Sequence, residues 1–176
     1  MIKYTITNTK KYSGEITDLY IQCFSAGLSA QHIDPLELKS YMQLISDSGY
    51  AVLAIEAEQI TGALLCLPLT EDKLLPENLK ESLNVNKCLY IAELMIDEKA
   101  RGRGLGKELI RRCTENADRS RYSEIVIRVW EKNEAALHLY LKEGFKPVGA
   151  ITQLKRKPDG TELIEMKKIY LSKRSI

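Results

Sequence analysis

The sequence predicts an α/β (α+β) protein: a mixed, mostly antiparallel central sheet flanked by helices, in the order β-α-α-β-β-β-α-β-α-β-β, as a single domain over residues 1–176. Three observations carry this expectation. Apolar runs of strand length alternate with stretches whose apolar residues recur every three to four positions. Short polar turns join successive strands in two places, which marks antiparallel hairpins. One strand–helix–strand unit lies in the middle of the chain, and its crossover connection implies helices on both faces of the sheet.

Residues 2–8 alternate polar and apolar side chains and read as the first strand. Two helical stretches follow at about 14–26 and 36–47, the first with Ile16, Leu19, Tyr20 and Cys23 at helical spacing. Ser48-Gly49 breaks the second. Residues 50–56 and 60–67 form apolar runs around a short polar turn, a hairpin that Pro68 closes. Residues 70–87 are polar and contain Pro76; they predict a loop with a short helix near 77–83, placed either as a lid on the site or outside it. Residues 88–96 are the most apolar strand. Residues 104–119 carry Leu105, Leu109, Ile110, Cys113 and Ala117 on one helical face and arginines opposite. After a strand at 125–130, Asn133 caps a helix that Gly144 stops. Residues 145–155 and 161–171 flank Pro158-Asp159-Gly160, a hairpin turn whose edge strands a second copy can extend into a homodimer.

Composition narrows the class. Hydrophobic residues make up 44% and charged residues 28%, as in an ordinary globular domain. Cys23, Cys66, Cys88 and Cys113 form no C-x-x-C pair and sit among apolar neighbours, so buried thiols are expected rather than disulfides or a metal site. No apolar stretch reaches membrane-spanning length, and the first ten residues lack a signal peptide's apolar core, which together predict a cytoplasmic protein with no membrane partner. The net charge of +2 gives no reason to expect nucleic acid. Its distribution is uneven: residues 1–99 hold 8 lysines, no arginine and 14 acids, a balance of −6, and residues 100–176 hold a balance of +8. The second half is suited to meet anionic groups.

The turn Arg101-Gly102-Arg103-Gly104-Leu105-Gly106-Lys107 stands between the apolar strand and a helix. Alternate glycines let the backbone approach a ligand with its N–H groups turned to one side, and the helix start adds unpaired N–H groups and the positive end of a dipole. Arg101, Arg103 and Lys107 add charge, so the segment suits a diphosphate. It is not a Walker loop: Arg101 stands where the first glycine belongs and Glu108 replaces the hydroxyl residue. Nor does it match G-x-G-x-x-G, since Lys107 takes the third glycine's place.

The motif resembles the [QR]-x-x-G-x-[GA] signature of the GNAT superfamily of acetyl-CoA-dependent N-acetyltransferases, met by Arg101, Gly104 and Gly106. Its flanks agree. The preceding strand reads Tyr90-Ile91-Ala92-Glu93-Leu94-Met95-Ile96-Asp97, and the run from Asn133 through Ala136 and Tyr140 to Gly144-Phe145 is similar to the family's N-x-x-A-x-x-x-Y-x-x-x-G-F block. The match covers about residues 88–145 and implies a GNAT-like sheet whose two middle strands splay apart around the pantetheine arm.

The resemblance implies roles residue by residue. The backbone of Leu94, Met95 and Ile96 holds the pantetheine by strand addition. Residues Gly102 through Lys107 (Gly102, Arg103, Gly104, Leu105, Gly106, Lys107), with Arg101, hold the pyrophosphate of acetyl-CoA, the co-substrate. Asn133 contacts the cofactor arm, caps its helix, or does both. The N–H of Leu94 is placed to meet the developing oxyanion. Tyr140 matches the family's thiol-facing tyrosine and is the proton donor to the leaving thiolate. Glu93, the single charged residue in an apolar strand, is the candidate base, with Glu131 in reserve. His32 and His138 have no partner pattern. The expected activity is transfer of acetyl from acetyl-CoA to a primary amine by direct attack in a ternary complex. The alternatives are a catalytically silent acyl-CoA-binding sensor or partner module, and an acyltransferase using another acyl group or acceptor. The acceptor is a small-molecule amine or a peptide or protein amine, met by the connection holding Gln31, His32 and Asp34; the acidity of that half favours a cationic amine.

Overall fold

A computed structural model describes residues 1–174; Ser175 and Ile176, at the end of the expected domain, lie outside the described residues. A seven-stranded sheet runs in the order β1-β2-β3-β4-β5-β7-β6. β1 spans Lys3–Thr7, β2 Tyr50–Glu56, β3 Gln59–Pro68, β4 Cys88–Ile96, β5 Glu124–Trp130, β6 Lys146–Arg156 and β7 Leu163–Arg174. Every neighbouring pair is antiparallel except β4 and β5. The parallel pair is the one joined by the crossover helix, as the sequence predicts. The hairpins at 50–67 and 145–171 are also present.

Helices α1 (Ser13–Phe24) and α2 (Pro35–Ser48) lie on one face, and α4 (Leu105–Asn116) and α5 (Glu134–Lys142) on the other. Strand alternation feeds both layers. In β2, Ala51 and Leu53 face Ile16, Leu19 and Ile45, whereas Val52 and Ala54 face Leu109 and Ile110. The helix starts are capped as their residues require: Asp34 Oδ1 accepts from the amides of Leu36 and Glu37 at 2.8 and 3.0 Å, and Pro35 opens the first turn. The crossover helix ends at Asn116, three residues before its predicted end.

The short helix expected near 77–83 is present as α3 (Glu77–Ser82), between β3 and β4, and the segment around it is part of the core. Leu69, Leu75, Leu79 and Leu83 are buried against Cys88, Tyr90, Val126 and Tyr170. Gly149 lets β6 come close: a Cβ there would sit 2.9 Å from the Leu79 methyls. Four anchored leucines make this segment a fixed wall. All four cysteines are free; Cys66 and Cys113 lie with sulfurs 3.5 Å apart, both buried.

β4 departs from regular pairing once. Leu65 pairs with Glu93 but Cys66 pairs with Ile91, so Ala92 is an extra residue. Regular alternation would put Glu93 on the face of Leu89 and Ile91. The bulge moves it to the face of α1 and α2.

Candidate active site

β4 and β5 pair only over Cys88–Ile91 and Glu124–Ile127. Beyond that point each stays with its other neighbour, β4 with β3 as far as Ile96 and β5 with β7 as far as Trp130. The two central strands therefore part, and three adjoining cavities follow the gap.

On one side is a cleft of about 550 Å³, walled by Leu94, Met95 and Ile96, the 101–107 turn, and Asn133, Ala136, Leu139 and Tyr140 of the α5 region. The turn is shaped as its glycines require. Gly102 and Gly104 hold φ of 74° and 80°, a region that costs other L-residues strain. Gly106 serves packing instead, for a Cβ there would lie 3.1 Å from Leu139 Cδ2. The first helical bond of α4 runs from the Glu108 N–H to the Gly104 carbonyl. Among the described residues, no backbone N–H from Gly102 to Lys107 donates to a protein acceptor. Six free amides beside a helix start, with open space over Gly102 and Gly104, fit a diphosphate.

The charged groups of the turn divide. Arg101 and Lys107 line the cleft, and Arg101 Nε donates to the Ile96 carbonyl at 3.4 Å. The Arg103 guanidinium instead forms a fork with Glu56 at 2.7 and 2.8 Å. In this structure its side chain serves β2, leaving only its N–H for a ligand. Asn133 both caps α5, accepting from the Ala136 N–H at 3.3 Å, and lines the cleft.

The cleft narrows into a throat of about 140 Å³ in the splay, where Tyr140 and Glu93 both stand. Tyr140 is 5% exposed; burial raises its hydroxyl above the usual tyrosine range, so it stays protonated at neutral pH. Glu93 accepts a hydrogen bond from the Tyr41 hydroxyl at 2.9 Å. Burial lifts its carboxyl above the ordinary value, against the opposing pull of that hydrogen bond and of Lys168, Arg128 and Lys155. Glu131 is drawn elsewhere, to Lys167 at 3.4 Å. His138 is exposed on α5.

Past Glu93 the throat opens into a second cavity of about 520 Å³, walled by α2, the 31–34 connection, residues 71–74 and the inner ends of β5 and β6. Gln31, His32 and Asp34 all line it, as expected. The His32 N–H donates to the Arg156 carbonyl at 2.9 Å, tying the connection between α1 and α2 to the final hairpin. Asp72, nearly buried, accepts from Arg128 at 3.2 Å and from the Tyr170 hydroxyl at 2.7 Å, which locks residues 71–74 onto β5 and β7. The rim is acidic, as the first half of the chain predicts, but the floor holds Arg128 and Lys155 from the basic half.

Sequence reasoning missed Tyr41, Arg128, Lys155, Lys168 and Asp72. The lysine left a signal: Ile164, Met166, Lys168 and Tyr170 alternate along the inward face of β7, so a charge interrupts an apolar row.

Residues 14–145 match the model of the acetyltransferase (GNAT) family. Rat N-acetyltransferase 8B is 29% identical over 120 residues, covering 67% of this chain and 48% of the relative; human N-acetyltransferase 8B is 31% identical over 112 residues, 63% and 44% respectively. The chain thus spans about half the length of these curated relatives. Among solved structures, ribosomal-protein-alanine N-acetyltransferase of Brucella melitensis superposes with a TM-score of 0.72 at 17% identity, covering 99% of both chains. Arabidopsis thaliana NAA60, solved with a bisubstrate analogue, gives 0.73 at 14% identity over 99% and 98%, and it has also been solved with acetyl-CoA. At such identities the superpositions speak for the fold, and the family match for descent: this chain belongs to the acetyltransferase (GNAT) family.

Proposed function

We propose that the protein transfers an acetyl group from acetyl-CoA to a primary amine by direct attack within a ternary complex. The observation that carries this reading is the throat between β4 and β5, which joins a cleft suited to a diphosphate to a separate cavity and holds a buried carboxylate and a buried phenol where the two meet. A binding module has no use for both groups at such a junction. The family's relatives named for nitrogen acceptors point the same way.

The chemistry follows from the residues. Arg101, Lys107 and the free amides of 102–107 hold the pyrophosphate, and the unpaired edge of β4 holds the arm. Acetyl-CoA supplies a thioester carbonyl carbon and a thiolate leaving group. An amine with the ordinary lysine-like pKa needs about 4–5 kcal/mol to stand neutral at pH 7. Glu93, made more basic by burial, takes its proton as the C–N bond forms. The Leu94 N–H meets the oxyanion. As the C–S bond breaks, Tyr140 gives its proton to the sulfur.

The test is free-thiol release from acetyl-CoA with a panel of amines, amino acids and peptides, beside calorimetric titration of CoA. Turnover with an amine supports the assignment. Tight CoA binding with no turnover of any amine identifies a silent acyl-CoA module, and faster turnover of propionyl- or succinyl-CoA changes the acyl group.

A further inference from the structure

The floor of the acceptor cavity differs from its rim. Lys168 of β7 and Lys155 of β6 both line the throat, on the same sheet face as Glu93 after the bulge. Both are half-covered, and among the described residues neither has a carboxylate within salt-bridge distance. Arg128, the third cation there, is already committed to Asp72. With Glu93 acting on both only from beyond salt-bridge distance, two half-covered ammonium groups leave positive charge for a further anion to meet.

A second observation is independent of charge. The side-chain oxygens of Gln31 and Gln153 are buried with no hydrogen-bond partner, and both residues line the throat and the cavity beyond. Neither amide nitrogen donates to a protein group among the described residues. Whichever way each amide is turned, a polar end is left for a ligand. The throat thus presents uncommitted acceptors or donors beside two cations.

We propose that the acceptor is a free amino acid or a small conjugate of one, whose carboxylate is held by Lys155 and Lys168 while its amine faces Glu93. This rests on the acetyltransferase reading and deepens it. The amine must enter a throat of about 140 Å³ to reach the thioester, and Lys168 lines that same throat. An acceptor that carries its anion close to its amine, as an α-amino acid does, fits so small a space. A polyamine would bring more positive charge to two cations, so the floor opposes the cationic acceptor that the acidic rim favours. The wider cavity, about 520 Å³, has room for the side chain.

The experiment measures kcat/KM with acetyl-CoA for the amino acids, each paired with its decarboxylated amine and its carboxamide, in the wild type and in Lys168→Met and Lys155→Met. The wild type is expected to favour the best amino acid over its carboxylate-free partners by about 30-fold or more, the effect of one desolvated charge pair. In either variant that ratio collapses, chiefly through KM, while turnover of the carboxylate-free amine persists. The ratio separates recognition of the carboxylate from any change in Glu93, which would move both members of a pair alike. Equal turnover of amines and amino acids would overturn this proposal and leave the acetyltransferase standing. Turnover of neither, nor of a peptide amine, with CoA still bound, would overturn both.

Discussion

Two glycines of the 101–107 turn should respond in opposite ways to the same added methyl. At Gly104 the backbone holds φ at 80°, and a Cβ built there meets nothing within 4 Å. Gly104→Ala therefore carries no packing clash; its cost is that of a left-handed L-residue, about 1–2 kcal/mol. For a domain of this size that lowers Tm by about 2–8 °C, and the variant remains folded. Relieving the strain turns the neighbouring amides away from their common focus. Each charge-assisted hydrogen bond so lost is worth about 1.5–3 kcal/mol, hence about 10- to 100-fold in CoA affinity. Gly106 lies inside α4, where a Cβ presses on the end of Leu139 at 3.1 Å. That side chain yields by a few tenths of an ångström, and alanine gains about 1 kcal/mol of helix propensity. Gly106→Ala should accordingly keep its Tm within a few degrees and its CoA affinity within about threefold. Calorimetric titration of CoA into both variants, with thermal unfolding alongside, tests the pair. Unchanged affinity in Gly104→Ala would refute the turn as the diphosphate site, and equal losses in both would show that bulk, not amide direction, governs binding.

Glu93→Gln should lower kcat by about 100-fold with CoA affinity unchanged. Because burial raises the Glu93 pKa and the base works ionised, wild-type kcat should fall as pH drops through a value above the ordinary carboxylate range; the variant should lack that limb, and a limb that persists clears Glu93 of the role. Tyr140→Phe should cut kcat by about 10- to 100-fold and spare CoA binding, read by steady-state kinetics and calorimetry; an unaltered kcat means that the leaving thiolate needs no proton from it or departs after a slower step. Asp72→Asn leaves the Arg128 guanidinium without its carboxylate and should destabilise the fold by about 3 kcal/mol in thermal unfolding; a loss under 1 kcal/mol would show that water supports Arg128 as well as Asp72 does.

The layering and the shape of the 101–107 turn were legible in the sequence because each rests on local rules. Strand and helix periods differ, the crossover imposes the parallel pair, and the glycine positions state where the backbone must turn left-handed. The second cavity was legible only in its 31–34 wall, because its other parts come from far apart. Asp72 is 56 residues from Arg128 and 98 from Tyr170, and Tyr41 is 52 from Glu93. In the 70–87 segment the short helix was legible near 77–83 but its burial was not, because Leu75, Leu79 and Leu83 are diluted by polar residues that face out. In β6, Ile151, Gln153 and Lys155 share a face, and in β7 Met166, Lys168 and Tyr170 do. Polar residues at inward positions of two adjoining strands were the available sign of a site.

The bulge at Ala92 gives the strongest reason to regard the throat as built for chemistry. A regular β4 would bury Glu93 among Leu89, Ile91 and the α4 side chains, where a carboxylate has no partner. One added residue carries it to the opposite face, within reach of the Tyr41 hydroxyl and the field of Lys168, Arg128 and Lys155. The irregularity coincides with the end of β4–β5 pairing at Ile91, so the strand re-aims its acid where the sheet opens. Stability alone would be served by an apolar residue and an unbroken ladder. The chain instead places a covered carboxylate, a covered phenol and two lysines outside any salt bridge around a gap in its own core, an arrangement that packing alone does not call for.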